Sequence, residues 1–129
     1  MADVLRRALV ADDSQLNRGL LARLLEGYGY AVVSVESGLK AYLEVQKQEF
    51  DLVVMDLQMP ELSGLDAATA IRQLSGERFQ RLLIVGMTAH NDPQYREVCL
   101  EHGMNGFVSK PIDGYELLDQ LRKLGHDPE

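Results

Sequence analysis

Leu52-Val53-Val54-Met55-Asp56 is the stretch on which the reading of the fold turns. Four apolar residues in a row, two of them β-branched, end on a carboxylate. A strand with one face in water alternates apolar and polar side chains, and this one does not. Continuous apolar character requires cover on both faces, the condition of a strand inside a parallel sheet sandwiched by helices. Leu82–Val85 repeats the pattern. Ala8–Ala11, Ala31–Val35 and Phe107–Val108 are further short apolar runs flanked by polar residues or glycine.

The segments between these runs carry helical periodicity. Leu20, Leu21, Leu24, Leu25 and Tyr28 form one stripe, and Leu39, Leu43, Ala41 and Tyr42 a second. Leu65, Ala68, Thr69, Arg72 and Leu74 mark a third helix. Pro93 suits the first turn of a fourth, running through Cys99 and His102 and ended by Gly103. Leu117, Leu118, Leu121 and Leu124 mark the fifth. Five strands alternating with five helices predict an α/β, doubly wound parallel sheet with right-handed crossovers. The expected organisation is one domain over residues 1–125 and a disordered tail over 126–129, with no repeat or linker.

Composition narrows the function. Of 129 residues, 46% are hydrophobic and 26% charged, which is globular usage. Thirteen Lys+Arg against twenty Asp+Glu give a net charge of −7, which argues against nucleic acid or an anionic membrane as a direct partner. A single cysteine, Cys99, allows no internal disulfide, so a reducing cytoplasm is the expected compartment. The apolar run Ala8–Ala11 is too short for a signal peptide or a membrane span.

In an open α/β sheet, ligands bind outside the carboxyl ends of the strands. The residues at those ends are Asp12 and Asp13, Asp56, Thr88, and Lys110 with Pro111. Two carboxylates about 4 Å apart repel by roughly 4 kcal/mol at an effective dielectric of 20, so three together call for protonation or a cation. Oxygen ligands without His or Cys select a hard ion, and Mg²⁺ is the cytoplasmic candidate. An Asp accompanied by a metal, a Lys and a hydroxyl has the parts of an aspartyl-phosphate site. As a mere helix cap the Asp12-Asp13 pair is redundant, because Ser14 follows and can cap alone.

These fragments resemble the receiver domain of two-component response regulators: Asp12-Asp13, Val53-Val54-Met55-Asp56-Leu57-Gln58-Met59-Pro60 with Gly64, Thr88-Ala89, and Ser109-Lys110-Pro111. The resemblance runs in order over nearly the whole chain. It implies a flavodoxin-like sheet of order 2-1-3-4-5, with Asp56 as phosphoacceptor and Asp12, Asp13, Asp56 and the backbone carbonyl of Gln58 around Mg²⁺. It implies that Lys110 contacts the phosphoryl group, that Thr88 is the switch hydroxyl, and that Phe107 is the switch aromatic. The face made by the fourth helix, fifth strand and fifth helix would then change on phosphorylation. The implied partner is a histidine kinase or a histidine-phosphotransfer domain, docking beside the first helix at Leu16, Gly19 and Ala22 and the following rim at Pro111 and Ile112. Asn17-Arg18, Met87-Thr88-Ala89 and Gly103-Met104 resemble receivers of hybrid histidine kinases, with a stand-alone response regulator as the alternative. His90, two residues after Thr88, reads as an exposed rim residue near the path of water.

Two other functions compete. A haloacid-dehalogenase-type phosphatase also uses Asp, Mg²⁺, Lys and Ser/Thr, but wants an acid two residues after its nucleophile, where this chain has Gln58. A degenerate binding module would have lost an acid or Lys110, and none is lost. Turnover of an external substrate is not expected of the domain; self-phosphorylation and dephosphorylation are.

Overall fold

A computed structural model describes residues 6–89 and 93–126. The strands are β1 Arg6–Ala11, β2 Tyr30–Val35, β3 Leu52–Asp56, β4 Leu83–Thr88 and β5 Gly106–Ser109. The helices are α1 Gln15–Gly27, α2 Gly38–Lys47, α3 Gly64–Arg72, α4 Glu77–Arg81, α5 Pro93–Glu101 and α6 Gly114–Lys123. All strand pairs are parallel, in the order β2-β1-β3-β4-β5 that the receiver resemblance implies. The one unexpected element is α4. It has five residues and no side-chain cap, too short to leave a periodic signature.

Every residue of β3 is buried, as its unbroken apolar run demands. The sheet divides the core into two clusters. Leu21 and Leu25 of α1 and Leu117 and Leu121 of α6 pack on Ala8, Val10, Leu52, Val54, Val85 and Met87. Ala41 and Val45 of α2, Ala67, Ala68 and Ile71 of α3 and Cys99 of α5 pack on Leu9, Val53, Met55 and Ile84 of the opposite face. Each fully buried aliphatic side chain contributes about 1.5–3 kcal/mol of transfer free energy. Cys99 is thus the small core hydrophobe its helical position suggests.

The helical stripes need correcting. Leu20, expected in the core, is 45% exposed, and Leu39 and Leu43 of α2 also face solvent. α2 is instead buried through Gly38, Ala41 and Val45, and α3 through Gly64, Ala67, Ala68 and Ile71. Small residues let these helices lie close to the sheet, so the buried face is the one with less side chain. A reading that follows the largest apolar residues rotates each helix outward.

His126, placed at the start of the tail, has its Nδ1 2.8 Å from the Tyr30 hydroxyl, and its N–H donates to the Leu121 carbonyl at 2.8 Å. Residues 127–129 lie outside the described residues, as do Met1-Ala2 and His90. His102 at the end of α5 is likewise engaged, its Nδ1 2.8 Å from the Thr69 hydroxyl of α3. Beside it the Arg72 guanidinium donates to the carbonyls of Gly103 (2.8 Å) and Phe79 (2.6 Å) and to the Asn105 side chain (2.8 Å), tying α3, α4 and the turn before β5 together. Gly103 ends α5 with φ +89°, a backbone that glycine adopts without steric cost.

Candidate functional site

Strand register brings the reactive side chains to one rim. Ala11 pairs with Met55, Asp56 with Met87, and Thr88 with Ser109, so the residues at and after these positions converge at the carboxyl edge of the sheet. β1 delivers Asp12, which is fully buried. Its carboxylate accepts the Ser14 N–H at 2.9 Å and the Asn17 amide at 3.3 Å, while its carbonyl accepts Arg18 at 2.7 Å. Ser14 caps α1 by itself, accepting the Asn17 N–H at 3.3 Å. Asp13 is exposed and makes no hydrogen bond or ion pair among the described residues.

Asp56 closes β3, nearly buried. One carboxylate oxygen accepts the Gln58 N–H at 3.2 Å, and the other accepts the Lys110 ammonium at 2.7 Å. Lys110 also stands 3.5 Å from Asp12. Its backbone is held from both sides of β5: Lys110 N–H donates to the Thr88 carbonyl at 2.8 Å, and Ser109 donates through N–H (2.5 Å) and hydroxyl (3.0 Å) to the Glu116 carboxylate of α6. Gly64 starts α3 against the Asp56 carbonyl. A Cβ there would collide with that backbone, so only glycine permits the approach. Thr88, at the end of β4, is buried.

Electrostatics match the crowding. Burial pushes the Asp12 carboxyl above its ordinary range and Asp56 adds to this, against the lowering effects of Ser14, Lys110 and Asn17. Burial pulls Lys110 down, but Asp56 and Asp12 outweigh it and the net shift is upward, so Lys110 stays an ammonium ion at neutral pH. Oxygen atoms of Asp12, Asp13 and Asp56 all lie within 4.8 Å of one another. Three carboxylates against one ammonium leave two negative charges at the rim. The all-oxygen donor set and this excess fit a small hard dication.

A cavity of about 430 Å³ adjoins this cluster, lined on its polar side by Asp13, Asp56, Gln58, Thr88 and Lys110. Phe107 does not join it; the ring packs on the core cluster beneath α5, under the Arg96 guanidinium at 5.5 Å. On α1, Leu16 is 72% exposed, and with Gln15, Gly19, Leu20 and Arg23 it forms a shallow hollow of about 280 Å³. Nothing lies within 4 Å of where a Gly19 side chain would start, so packing does not explain that glycine. Ala22 is half-buried, Pro111 exposed and Ile112 half-buried against the cluster under α1 and α6. Sequence reasoning missed Glu116 as the anchor of the Lys110 strand and Leu20 as part of the hollow. Neither carries a local signal, since each depends on which way its helix is turned.

Fold and rim together define a flavodoxin-like α/β domain with an acidic pocket and an aspartate–lysine pair at the carboxyl edge of its sheet. The profile of the response regulator receiver domain matches residues 8–122, and the chain belongs to that family, the receiver domains of two-component systems. It is 42% identical over 118 residues to the sensor protein GacS of Pseudomonas syringae pv. syringae, covering 91% of this chain and 13% of that protein. It is 38% identical over 122 residues to hybrid signal transduction histidine kinase E of Dictyostelium discoideum, covering 93% and 7%. The chain thus spans less than a fifth of these relatives' length. Among solved structures it is similar to the chemotaxis response regulator CheY4 of Vibrio cholerae, with a TM-score of 0.86 and 26% identity over 94% of this chain and 99% of that one. It is also similar to the receiver domain of the sensor histidine kinase PA1611 of Pseudomonas aeruginosa, solved with a magnesium ion in the active site cleft (TM-score 0.81, 31% identity, 95% and 99% covered). A third neighbour is the co-crystal of a Saccharomyces cerevisiae histidine phosphotransfer protein with the receiver domain of its downstream response regulator (TM-score 0.82, 25% identity, 95% and 92% covered).

Proposed function

We propose that this domain takes a phosphoryl group from a phosphohistidine partner onto Asp56 in a Mg²⁺-dependent reaction. The observation that carries the reading is the Lys110 ammonium 2.7 Å from a nearly buried Asp56, with Asp12 and Asp13 close by. An Asp56 oxygen attacks phosphorus in line. The new O–P bond forms as the P–N bond breaks, and the imidazole nitrogen leaves with the bonding pair and takes a proton from solvent. Asp12, Asp13, Asp56 and the Gln58 carbonyl would hold Mg²⁺, which when bound supplies positive charge for the phosphoryl oxygens. Lys110 neutralises charge on the same group from a backbone position fixed by Thr88 and Glu116. Thr88 donates its hydroxyl to a phosphoryl oxygen, and this differential contact biases the face of α5, β5 and α6.

The hollow on α1 is the docking surface for the histidine partner, with Leu16 and Leu20 as apolar anchors, Gly19 and Ala22 as points of close approach, and Pro111 and Ile112 on the adjoining rim. The yeast co-crystal supports a helical phosphotransfer protein as one such partner. Identities of 38% to a hybrid histidine kinase and 42% to a sensor protein of which this chain spans 13%, against 26% to the chemotaxis regulator, favour a hybrid histidine kinase as the parent protein. A cytoplasmic setting follows from that reading. No helix among the described residues is long and apolar enough to cross a membrane.

The test is intact mass after incubation with Mg²⁺ and acetyl phosphate. Wild type gains one alkali-labile phosphoryl group and Asp56→Asn gains none. Stoichiometric labelling of Asp56→Asn would overturn the assignment.

A further inference from the structure

The pocket beside Asp56 has a second, apolar side, made by Leu57, Leu65, Met87 and Tyr95. Tyr95 is half-buried on α5 and packs on the cluster that contains Leu57. The expected switch aromatic, Phe107, is not on this wall; its ring lies beneath Arg96, the residue after Tyr95. Adjacent positions of one helix therefore hold two aromatics in different ways. One presents its own ring to the reacting pocket, and the other covers the ring of β5.

We propose that Tyr95 is a positioning residue of the phosphorylation pocket, lining it together with Leu57, Leu65 and Met87 and carrying the state of Asp56 to α5. The inference rests on Asp56 being the phosphoacceptor. A phosphoryl group in this cavity finds its charge partners on the polar side alone. The apolar surface of the other side excludes the water that hydrolyses an acyl phosphate. Because Tyr95 belongs to α5, contact of the ring with the phosphoryl group acts on the helix that carries it.

The first experiment reads the ring directly. The chain has five tyrosines and no tryptophan, so protein labelled with 3-fluorotyrosine gives one fluorine resonance per tyrosine, and Tyr95→Phe identifies that of Tyr95. Addition of Mg²⁺ and beryllofluoride also yields bound-fluoride signals that report the adduct in the same spectrum. The Tyr95 resonance should shift with the adduct while those of Tyr30 and Tyr42 hold, and it should still shift in Phe107→Leu. An adduct with no Tyr95 shift overturns the proposal; the absence of any adduct overturns the phosphoacceptor reading beneath it. In the second experiment the acyl phosphate formed from acetyl phosphate is followed by intact mass. Tyr95→Ala should shorten its lifetime by about three- to tenfold, and Tyr95→Phe should stay within about twofold of wild type. Equal lifetimes in all three proteins, or a Tyr95→Phe as short-lived as Tyr95→Ala, refute a role for the ring.

Discussion

Asp13→Asn should make the metal-free domain more stable than wild type and the Mg²⁺-loaded domain less stable. Carboxylate oxygens of Asp12, Asp13 and Asp56 lie within 4.8 Å of one another. At that separation two unit charges repel by about 3.5 kcal/mol at an effective dielectric of 20 and by about 0.9 kcal/mol in bulk water. Asp13 is exposed, so its value falls toward the lower figure. Two acids repel it and one ammonium, Lys110, attracts it, leaving roughly one repulsive pair uncompensated. Loss of a favourable charge near the amino end of α1, about 0.5 kcal/mol, takes back part of the gain. The metal-free stabilisation is then about 0.5 kcal/mol at low salt, and it shrinks at about 1 M salt, where the screening length falls to about 3 Å. A ligand that binds only the folded state adds about 2.7 kcal/mol at a hundred times its Kd. The variant, one carboxylate short, forgoes most of that increment, so the order of stabilities reverses. Urea unfolding followed by circular dichroism, once in EDTA and once in Mg²⁺, measures both arms. A metal-free Asp13→Asn less stable than wild type would refute the repulsion argument.

Three further outcomes are expected. Burial, reinforced by Asp56, holds Asp12 above its ordinary carboxyl value of 3.8, so the folded metal-free protein keeps that proton to higher pH than the unfolded chain. Its stability should therefore fall as pH rises from the unfolded value through the raised one and level off above it, and Asp12→Asn should flatten that fall in urea midpoints taken across the acid range. Leu16→Glu or Gly19→Gln should slow transfer from a phosphohistidine partner while leaving acetyl phosphate labelling nearly unchanged; equal slowing with both donors in time-resolved mass measurement contradicts docking on α1. Arg72→Ala leaves the carbonyls of Gly103 and Phe79 without their donor, at a cost of about 2–3 kcal/mol, and Arg72→Lys should recover little, since an ammonium cannot span the three acceptors; thermal unfolding decides both.

The legible part of this molecule was set by residues whose chemistry has few alternatives. An all-apolar strand ending on Asp56 has one comfortable setting, and the order of Asp12-Asp13, Asp56, Thr88 and Lys110 along the chain was enough to bring them to one rim. Helix orientation was less legible. In α1 the sequence offers Leu20 and Leu21 as equal core candidates, and only packing against β1 and α6 decides that Leu21 is buried. In α2 the deciding residues are Gly38 and Ala41, whose contribution is the absence of bulk. Glu116 and Arg72 were invisible for a third reason. Their partners lie outside their own helices and are largely backbone groups, the Ser109 N–H for Glu116 and the Phe79 and Gly103 carbonyls for Arg72, and a backbone group has no sequence signature. Phe107 was read as the switch aromatic from resemblance alone, and which α5 residue lines the pocket beside Asp56 carried no signal in the sequence.

Among the described residues the sheet splits the core so that no side chain belongs to both clusters. Leu21 and Leu25 beneath the α1 hollow share no packed neighbour with Cys99 beneath α5. Substitutions beneath α1 and beneath the α5 part of the responding face are thus uncoupled through packing and should combine additively, whereas α6, which shares the α1 cluster, is where the two surfaces meet. A domain built this way can adjust its upstream partner and the α5 part of its answer separately, while α6 ties recognition to response through the core it shares with α1.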